Sequence, residues 1–417
     1  EEGEGDIATS PVAVIRGVEA WGHQGVSISA TGQLYASLYR GALYDENTAS
    51  LVPFASSHLK AIWCYCSHPS YYENVRKINQ SLKVRGDLIK VPFDADYWAK
   101  VAEEKYPNGL PEPYTDDPTQ WIFHGYPCGS VIWDEEKKWT AHGPQRTDDT
   151  VLQVAVARLL GYRWPAELDL DMELADEQRE WVNHCKDLYS LADEDGIVCI
   201  PPVRGEVSAA ERLLNMLAAA YGDSWSNEVL AELLKNADHA GKTLDTWLRD
   251  KFFKQHCKLF HNRPFIWHIW DGLRDGFSAL VNYHKLDHKR LETLIYTYLG
   301  DWIARQKRDL SACDAQSGIE NGVDGAQEKL AAAHQLKNRL ELILEGESRY
   351  DIFVRWKPIE EQPIGWNPDL NDGVRPGLFH SNSGFYLKQS IRSRRSIVTG
   401  HFDDRFLHFR SKRGALY

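Results

Sequence analysis

A hairpin pattern followed directly by two long amphipathic stretches restricts the fold of this chain more than any other feature. Residues 264–284 contain two apolar runs on either side of glycines 272 and 276, and this is typical of a β-hairpin. Apolar residues then recur at helical spacing over 287–345, with a polar link at 311–323. This spacing predicts an antiparallel helical hairpin. A chain that combines these elements with short strands elsewhere is expected to adopt an α+β fold.

Changes in composition divide the 417 residues into four predicted segments, enough for two or three domains. Residues 1–120 mix short strand and helix patterns and are predicted to form a mixed α/β domain. Residues 121–200 begin with a stretch rich in Pro, Gly and Asp and are predicted to be a connector with short helices. Residues 201–350 are predicted to form a mostly helical domain that contains both hairpins, and 351–417 are predicted to be a C-terminal connector and a basic tail.

Local signals place several elements within the first domain. Loose alternation from Leu34 to Tyr44 predicts a strand, and Ser70-Tyr-Tyr-Glu73 predicts a capping box that begins a helix. Leu82–Val84 and Ile89–Phe93 are predicted to be short strands around a turn at 86–87. Asp94 is predicted to cap a further helix.

Helical spacing also appears further along the chain. It runs from Thr150 to Gly161, and Ser208-Ala-Ala-Glu211 predicts a second capping box. Further helices are expected near 227–236 and 243–254.

Charge and composition limit the classes of partner. The formal net charge is −12, so the average field repels phosphate and any DNA contact must come from local basic patches. Seven scattered cysteines favour reduced thiols and a cytoplasmic protein. No apolar run approaches the roughly 18–20 residues that cross a bilayer, so no membrane partner is expected. The acidic start without Met predicts that the segment comes from within a longer chain.

One basic patch lies between Lys60 and Lys90, where six Lys or Arg stand against two acidic residues. Basic side chains on a rigid loop are what phosphate contact and groove reading require. A solvated face of a helix and a hairpin is the alternative interpretation. The residues predicted to bind DNA are Arg76, Lys77, Lys83, Arg85 and Lys90, with Arg40 as a weaker candidate near the end of a strand.

Seven strings, in this order along the chain, resemble one family. They are Val91-Pro-Phe-Asp94, Asp116-Asp-Pro-Thr-Gln-Trp-Ile-Phe-His-Gly125, Leu159-Leu-Gly-Tyr-Arg-Trp-Pro165, Asp195-Gly-Ile-Val198, Arg263-Pro-Phe-Ile-Trp-His-Ile-Trp-Asp-Gly272, Gly276-Phe-Ser-Ala-Leu-Val-Asn-Tyr-His284 and Asn367-Pro-Asp-Leu-Asn-Asp-Gly-Val-Arg375. Together they resemble large adenine-N6-specific DNA methyltransferases of the Eco57I-like group. That group includes type IIG restriction-modification enzymes and methyltransferases of phage-defence systems. The resemblance runs from about residue 11 to Arg375.

The resemblance implies a division of labour between this chain and a catalytic domain. It implies that residues 1–120 form a target-recognition region and that the remainder is the helical and C-terminal part. A Rossmann-like domain that binds S-adenosylmethionine is expected before this segment, in the same or a separate chain. The implied partners are double-stranded DNA and that methyltransferase domain, and no cofactor is expected in this chain.

The residues themselves indicate that the methyl-transfer chemistry lies elsewhere. Adenine methylation needs an Asn, Asp or Ser before Pro-Pro and an aromatic ring after it, to bond and stack the flipped base. Ile200-Pro-Pro-Val203 has neither, and a structural turn is favoured there. Gly22-His-Gln-Gly25 lacks the strand and helix context of a cofactor-binding turn, so a loop is favoured. No catalytic residue is predicted.

Other patterns have a functional and a structural interpretation, and the structural one is favoured for each. His284 and His288, one helical turn apart, suggest zinc but lack the Glu that follows the first His of a zincin. Cys64-Tyr-Cys66 with His68 lacks a second pair at zinc spacing, and buried thiols are expected. Asp369 and Asp372 suggest a nuclease metal site, but a turn is favoured. The aromatic string at 265–270 is expected to be strand core rather than a base-stacking surface.

The sequence thus predicts the DNA-recognition and scaffold part of a site-specific adenine-N6 DNA methyltransferase, from restriction-modification or phage defence. The alternative is a non-catalytic DNA-binding or scaffold protein of a phage-defence system. The tail around Arg392-Ser-Arg-Arg-Ser396 carries eight Lys or Arg against two Asp from Pro376 onward. It is predicted to be loosely ordered.

Overall fold

The computed structural model describes residues 17–42, 44, 47–84, 86–260, 264–315 and 320–345. Helices alternate with small antiparallel sheets, so the predicted α+β class is confirmed. The described chain divides into two compact units. Among the described residues, the first unit contains residues 17–112 together with Trp133–Ala141. The second unit contains Pro113–Ile132 and residues 142–345.

A three-stranded antiparallel sheet and three helices make up most of the first unit. The strands, in the spatial order β2-β1-β3, are β1 (Gly25–Ser29), β2 (Ala36–Tyr39) and β3 (Thr48–Leu51). The helices are α1 (Leu59–Cys66), α2 (Pro69–Ile78) and α3 (Ala95–Lys105). The strand predicted between Leu34 and Tyr44 is thus confirmed as β2, over a shorter span.

The core of the first unit forms where α1 packs against the sheet. Val26 and Ile28 of β1 are fully buried, as is Val75 of α2, and they lie in one apolar cluster with Trp63 and Tyr65 of α1. Burial of large aliphatic and aromatic side chains is the main favourable term in folding. The cluster therefore fixes α2, and with it the residues that follow α2, against the sheet.

Side-chain caps begin two of these helices. Asp94 Oδ1 accepts from Tyr97 N at 3.0 Å, so the predicted cap of α3 is confirmed. The predicted cap of α2 at Ser70 is wrong, because the helix begins one residue earlier, at Pro69. Proline lacks an N–H and suits the first turn of a helix. The cap is therefore His68, whose Nδ1 accepts from Ser70 N at 3.2 Å.

The two short strands predicted after α2 are wrong. Lys83 makes a single antiparallel bridge to Thr31, and Gly86–Ile89 is a 3₁₀ helix. Tyr71 Oη donates to Leu88 O at 3.0 Å, and both side chains are buried. The backbone here is tied to α2 instead of to a neighbouring strand.

Two further sheets follow along the chain. The five strands are β4 (Val131–Asp134), β5 (Trp139–His142), β6 (Ile197–Cys199), β7 (Ile266–Trp270) and β8 (Ser278–Asn282). β4 pairs with β5, and an antiparallel sheet has the order β6-β8-β7. The hairpin predicted over 264–284 is confirmed as β7 and β8.

Helices make up most of the second unit. They are α4 (Val151–Leu159), α5 (Pro165–Leu168), α6 (Asp176–His184), α7 (Ala209–Tyr221), α8 (Asn227–Asn236), α9 (Leu244–Trp247), α10 (Phe253–Leu259), α11 (His288–Glu292), α12 (Leu299–Ala315) and α13 (Glu320–Glu345). α4 is buried along its whole length. Ser208 Oγ accepts from Glu211 N at 3.2 Å, as the predicted cap of α7 requires. α12 and α13 pack together and confirm the helical hairpin, with a shorter link than predicted.

Among the described residues, no helix combines the length and apolar character that crossing a bilayer requires. The predicted basic tail from Pro376 onward lies outside the described residues, as do Asp369 and Asp372.

Candidate nucleic-acid interface

The basic patch of the sequence forms a loop that follows α2 and returns to the sheet. We call residues 79–90 the basic loop; its Arg85 lies outside the described residues. The loop contacts the turn between β1 and β2, where Lys83 bridges to Thr31 and Val84 N donates to Ala30 O at 2.7 Å. This end of the sheet is therefore the place where loop and sheet meet.

Arg76, in the last turn of α2, holds the loop and the turn together. Its Nη1 donates to Ser81 O at 2.5 Å, and its Nη2 donates to Gly32 O at 2.8 Å. The guanidinium also lies 5.4 Å from the ring centroid of Tyr72. Both hydrogen-bond acceptors are neutral carbonyls, so neither bond removes the positive charge. Arg76 thus has a structural role and still supplies charge at this end of the sheet.

Two more cations lie beside Arg76. Lys83 Nζ donates to Asn47 Oδ1 at 2.8 Å, just before β3 begins. Lys77 is exposed on α2 and donates to Asn74 Oδ1 at 3.3 Å. Both of these hydrogen bonds end on neutral amide oxygens. Positive side chains therefore gather at the C-terminal end of α2, where the helix dipole favours them.

The second half of the loop is closed by Asp87. Its carboxylate accepts from Asn79 Nδ2 at 2.6 Å and pairs with Lys90 Nζ at 2.9 Å. The hydrogen bonds from Lys90 and then from Asn79 hold the pKa of Asp87 below its ordinary value. The Lys90 charge is thus partly offset by Asp87, in contrast to that of Arg76.

Arg40 lies apart from the other candidates. It follows the C-terminal end of β2, whereas the turn that contacts the basic loop precedes β2. The four residues of β2 lie between them, and they span about 13 Å. Arg40 Nη2 pairs with Glu112 Oε2 at 2.9 Å. The structure thus brings Arg76, Lys77, Lys83 and Lys90 to one region of the first unit and places Arg40 at the other end of the sheet.

Two exposed aliphatic residues on the basic loop were not identified as site residues from the sequence. The side chain of Leu82 is 90% exposed, and that of Ile89 is 68% exposed. Both fell within predicted strands, where alternation would bury one face. The only sequence signal for exposure is the position of Leu82 between Ser81 and Lys83.

Cys64 and Cys66, considered as metal ligands, are buried in α1. Burial raises the pKa of the Cys66 thiol to about 12 and also raises that of Cys64. A thiol must lose its proton to bind a metal ion. Within the described part of the chain, no group of three or more His, Cys, Asp or Glu side chains is arranged to hold a metal ion.

The paired histidines and the aromatic string also have structural surroundings. His288 lies 3.6 Å from the carboxylate of Glu292 within α11, and His284 lies edge-on to Tyr162 with ring centroids 5.2 Å apart. His268 is buried in β7, and its Nε2 lies 2.6 Å from Ser278 Oγ of β8. The strand-core interpretation of residues 265–270 is confirmed, because β7 is buried in four of its five positions.

Asp193 and Asp195 form a carboxylate pair of the kind used in general acid–base catalysis. Here the pair has a structural role, because it closes a turn. Asp193 Oδ1 accepts from the backbone N–H groups of Asp195, Gly196 and Ile197 at 2.8–3.2 Å, and Arg212 lies 2.9 Å from its second oxygen. Tyr298 Oη donates to Asp195 Oδ2 at 2.9 Å. These bonds occupy the carboxylates and position the start of β6.

Comparison with known proteins finds distant similarity to adenine-specific methyltransferases. Over 130 residues, 30% of this chain, it is 27% identical to the adenine-specific methyltransferase PglX of Lacticaseibacillus casei (strain Zhang). Over 195 residues, 44% of the chain, it is 25% identical to the adenine-specific methyltransferase BrxX of Escherichia coli O9:H4 (strain HS). The aligned regions span only 10% and 15% of these relatives. No protein-family model matches the chain. Part of the chain is thus similar to adenine-specific methyltransferases.

Proposed function

We propose that this chain is the DNA-recognition and scaffold part of a site-specific adenine-N6 DNA methyltransferase of the Eco57I-like group, active in restriction-modification or phage defence. The catalytic domain that binds S-adenosylmethionine would belong to another segment of the same protein or to a separate cytoplasmic chain. The distant similarity to two adenine-specific methyltransferases supports the choice of enzyme class. The proposed recognition domain is residues 1–120, and the rest would position it.

The basic loop is the observation that carries the DNA-binding part of this proposal. Arg76, Lys77, Lys83 and Lys90 lie on or beside a loop whose backbone is fixed at both ends, although the chain as a whole carries a net charge of −12. Contacts to phosphate fix the register of a protein on DNA and need positive groups in defined positions. Arg85 belongs to the same loop by sequence and is proposed to contribute.

A salt series on duplex DNA tests the proposal. Fluorescence anisotropy with a labelled mixed-sequence duplex gives the binding constant of the full chain at several salt concentrations. The test variant replaces Lys77, Lys83 and Lys90 by Gln. Each lost phosphate contact removes roughly 0.9 from the slope of log K against log salt, so the slope should flatten by about 2–3.

A matched control separates this surface from general electrostatics. Lys100, Lys105 and Lys137 are also lysines of the first unit, and replacing all three by Gln changes the net charge by the same amount. The control variant should retain the wild-type slope. Equal slopes in both variants would place the DNA surface elsewhere, and no binding by the wild type would contradict the proposed function.

A further inference from the structure

Leu82 is an aliphatic residue of the basic loop that is 90% exposed, although its backbone is well fixed. Two hydrogen bonds hold the backbone of Ser81, the residue before Leu82. Its N–H donates to Asn79 Oδ1 at 2.8 Å, and its carbonyl accepts from Arg76. The residue after Leu82 is Lys83, which bridges to Thr31. Leu82 therefore projects from a loop that hydrogen bonds hold in place.

Val84, the residue after Lys83, also helps to fix the backbone of the loop. Val84 is fully buried, and its N–H donates to Ala30 O at 2.7 Å. Asn79 also donates to Asp87, so both halves of the basic loop are connected. Single exposed apolar residues are common on protein surfaces. Leu82 differs from such residues because bonded backbone flanks it on each side and because Ile89, on the same loop, is also exposed.

The charge around this apolar side chain favours one kind of partner. Arg76 and Lys77 precede it, and Lys83 follows it directly. Duplex DNA offers the matching arrangement, since phosphates lie on the outside and an apolar base stack lies between them. Proteins that kink or open a duplex insert Leu, Ile, Phe, Met or Pro between base steps. Enzymes that modify a base must also take it out of the stack.

We propose that Leu82 is a wedge that enters the base stack of duplex DNA and unstacks one base step while the neighbouring cations contact the phosphates. This inference rests on the proposed DNA-binding function and names the residue that would deform the duplex. The Leu82 side chain is uncharged and forms no ion pair with a phosphate. It should therefore affect the preference for opened DNA and leave the salt dependence unchanged.

The test compares two duplexes that differ only at a central step, one intact and one with an abasic site that is already unstacked. The wild-type chain should bind the abasic duplex more tightly, on the order of tenfold, because the lesion removes part of the cost of unstacking. Leu82→Ala should bind both duplexes about equally, with the wild-type salt slope, whereas Leu82→Phe should retain the preference. A 2-aminopurine base beside the central step of the intact duplex should brighten with wild type and not with Leu82→Ala.

Leu170→Ala is the matched control, since Leu170 is a 79%-exposed leucine of the second unit; it should behave as the wild type does. Melting temperatures check that each variant is folded. The wedge proposal is wrong if the wild type binds DNA without preferring the abasic duplex, or if Leu82→Ala keeps that preference. The proposed DNA-binding function is unaffected by either result. If the wild type binds neither duplex, the proposed function itself fails. Loss of binding by Leu82→Ala to phosphatidylserine vesicles, with DNA binding unchanged, would overturn the wedge in favour of a lipid surface.

Discussion

Arg158 and Glu167 form a two-pronged ion pair in the interior of the second unit. Arg158 Nη1 donates to Glu167 Oε2 at 2.7 Å and Nη2 donates to Oε1 at 2.6 Å, and the two side chains are 3% and 1% exposed. Arg158 Nε also donates to Gly125 O at 2.7 Å. Glu167 accepts from Trp164 N and Tyr189 Oη, both at 2.9 Å. The pair thus connects α4 to α5 and to the strand-free segment around Gly125.

Removing one member of this pair should destabilise the chain strongly. Arg158→Met leaves the Glu167 carboxylate buried without its counter-charge, which costs about 3–5 kcal/mol of unfolding free energy. The double variant Arg158→Met/Glu167→Gln should recover part of the loss, because Gln is neutral and still accepts from Trp164 N. Urea unfolding followed by tryptophan fluorescence gives both values.

The exposed pair between Lys251 and Asp238, 2.8 Å apart, is the control for that experiment. Lys251→Met should cost less than about 1 kcal/mol, since exposed ion pairs contribute little. If Arg158→Met also lost less than about 1 kcal/mol of unfolding free energy, the ion pair between Arg158 and Glu167 would not be buried as the structure shows.

Gly125→Ala should also destabilise the second unit. Gly125 has φ +77°, in the left-handed region, and a Cβ there would collide with Arg158 Nη2 and the ring of Trp164. Conformational strain and overpacking together should cost about 2–4 kcal/mol. Gly241→Ala is the control, because Gly241 has φ +70° but open space around its Cβ position, and it should lose only about 1–2 kcal/mol. Equal losses in the two variants would contradict the predicted collision.

Asp195→Asn should stabilise the chain at neutral pH and not in acid. Burial, and then the neighbouring Asp193, raises the pKa of Asp195 to about 6 from an ordinary 3.8. A carboxyl with a raised pKa in the folded state favours folding below its unfolded pKa, and this contribution is lost as pH rises from about 4 to about 6. Asn resembles the protonated carboxyl and does not undergo this loss.

The pH profile of the melting temperature tests this sign. The difference between Asp195→Asn and the wild type should be small at pH 4 and grow to a few degrees by pH 7, at about 2–4 °C per kcal/mol. A variant that is less stable than the wild type at pH 7 would show that the charged carboxylate supports the turn.

The purified chain should neither bind S-adenosylmethionine at micromolar concentration nor methylate DNA by itself. Ile200 follows β6 and is buried, and its N–H donates to Ser278 O at 2.9 Å. Ile200 thus continues the strand pairing, and its side chain offers no acceptor for an adenine amine. Calorimetric titration with the cofactor and a labelled methyl-transfer assay check this. Label in adenine would place the catalytic chemistry in this chain.

Several elements follow from the sequence because local patterns decide them. The apolar runs around glycines 272 and 276 predict β7 and β8, and the spacing over 287–345 predicts the helical hairpin, since strand and helix periods differ. Asp94 and Ser208 were predicted as caps, because a side-chain oxygen that accepts from a backbone N–H three residues later needs no distant partner. The resemblance strings likewise agree with the similarity to adenine-specific methyltransferases over part of the chain.

Contacts between residues far apart in sequence were decided only by the tertiary structure. The alternation at Leu82 and Ile89 predicted strands, but Tyr71 and Arg76 fix that backbone as a loop and leave both aliphatic side chains exposed. Arg76 and Arg40 were both predicted to bind DNA. Arg76 lies at the end of the sheet formed by the β1–β2 turn, whereas Arg40 lies at the opposite end and pairs with Glu112. Periodicity reports which side chains share a face of one element. It does not report which element that face meets, because that depends on packing of the whole unit.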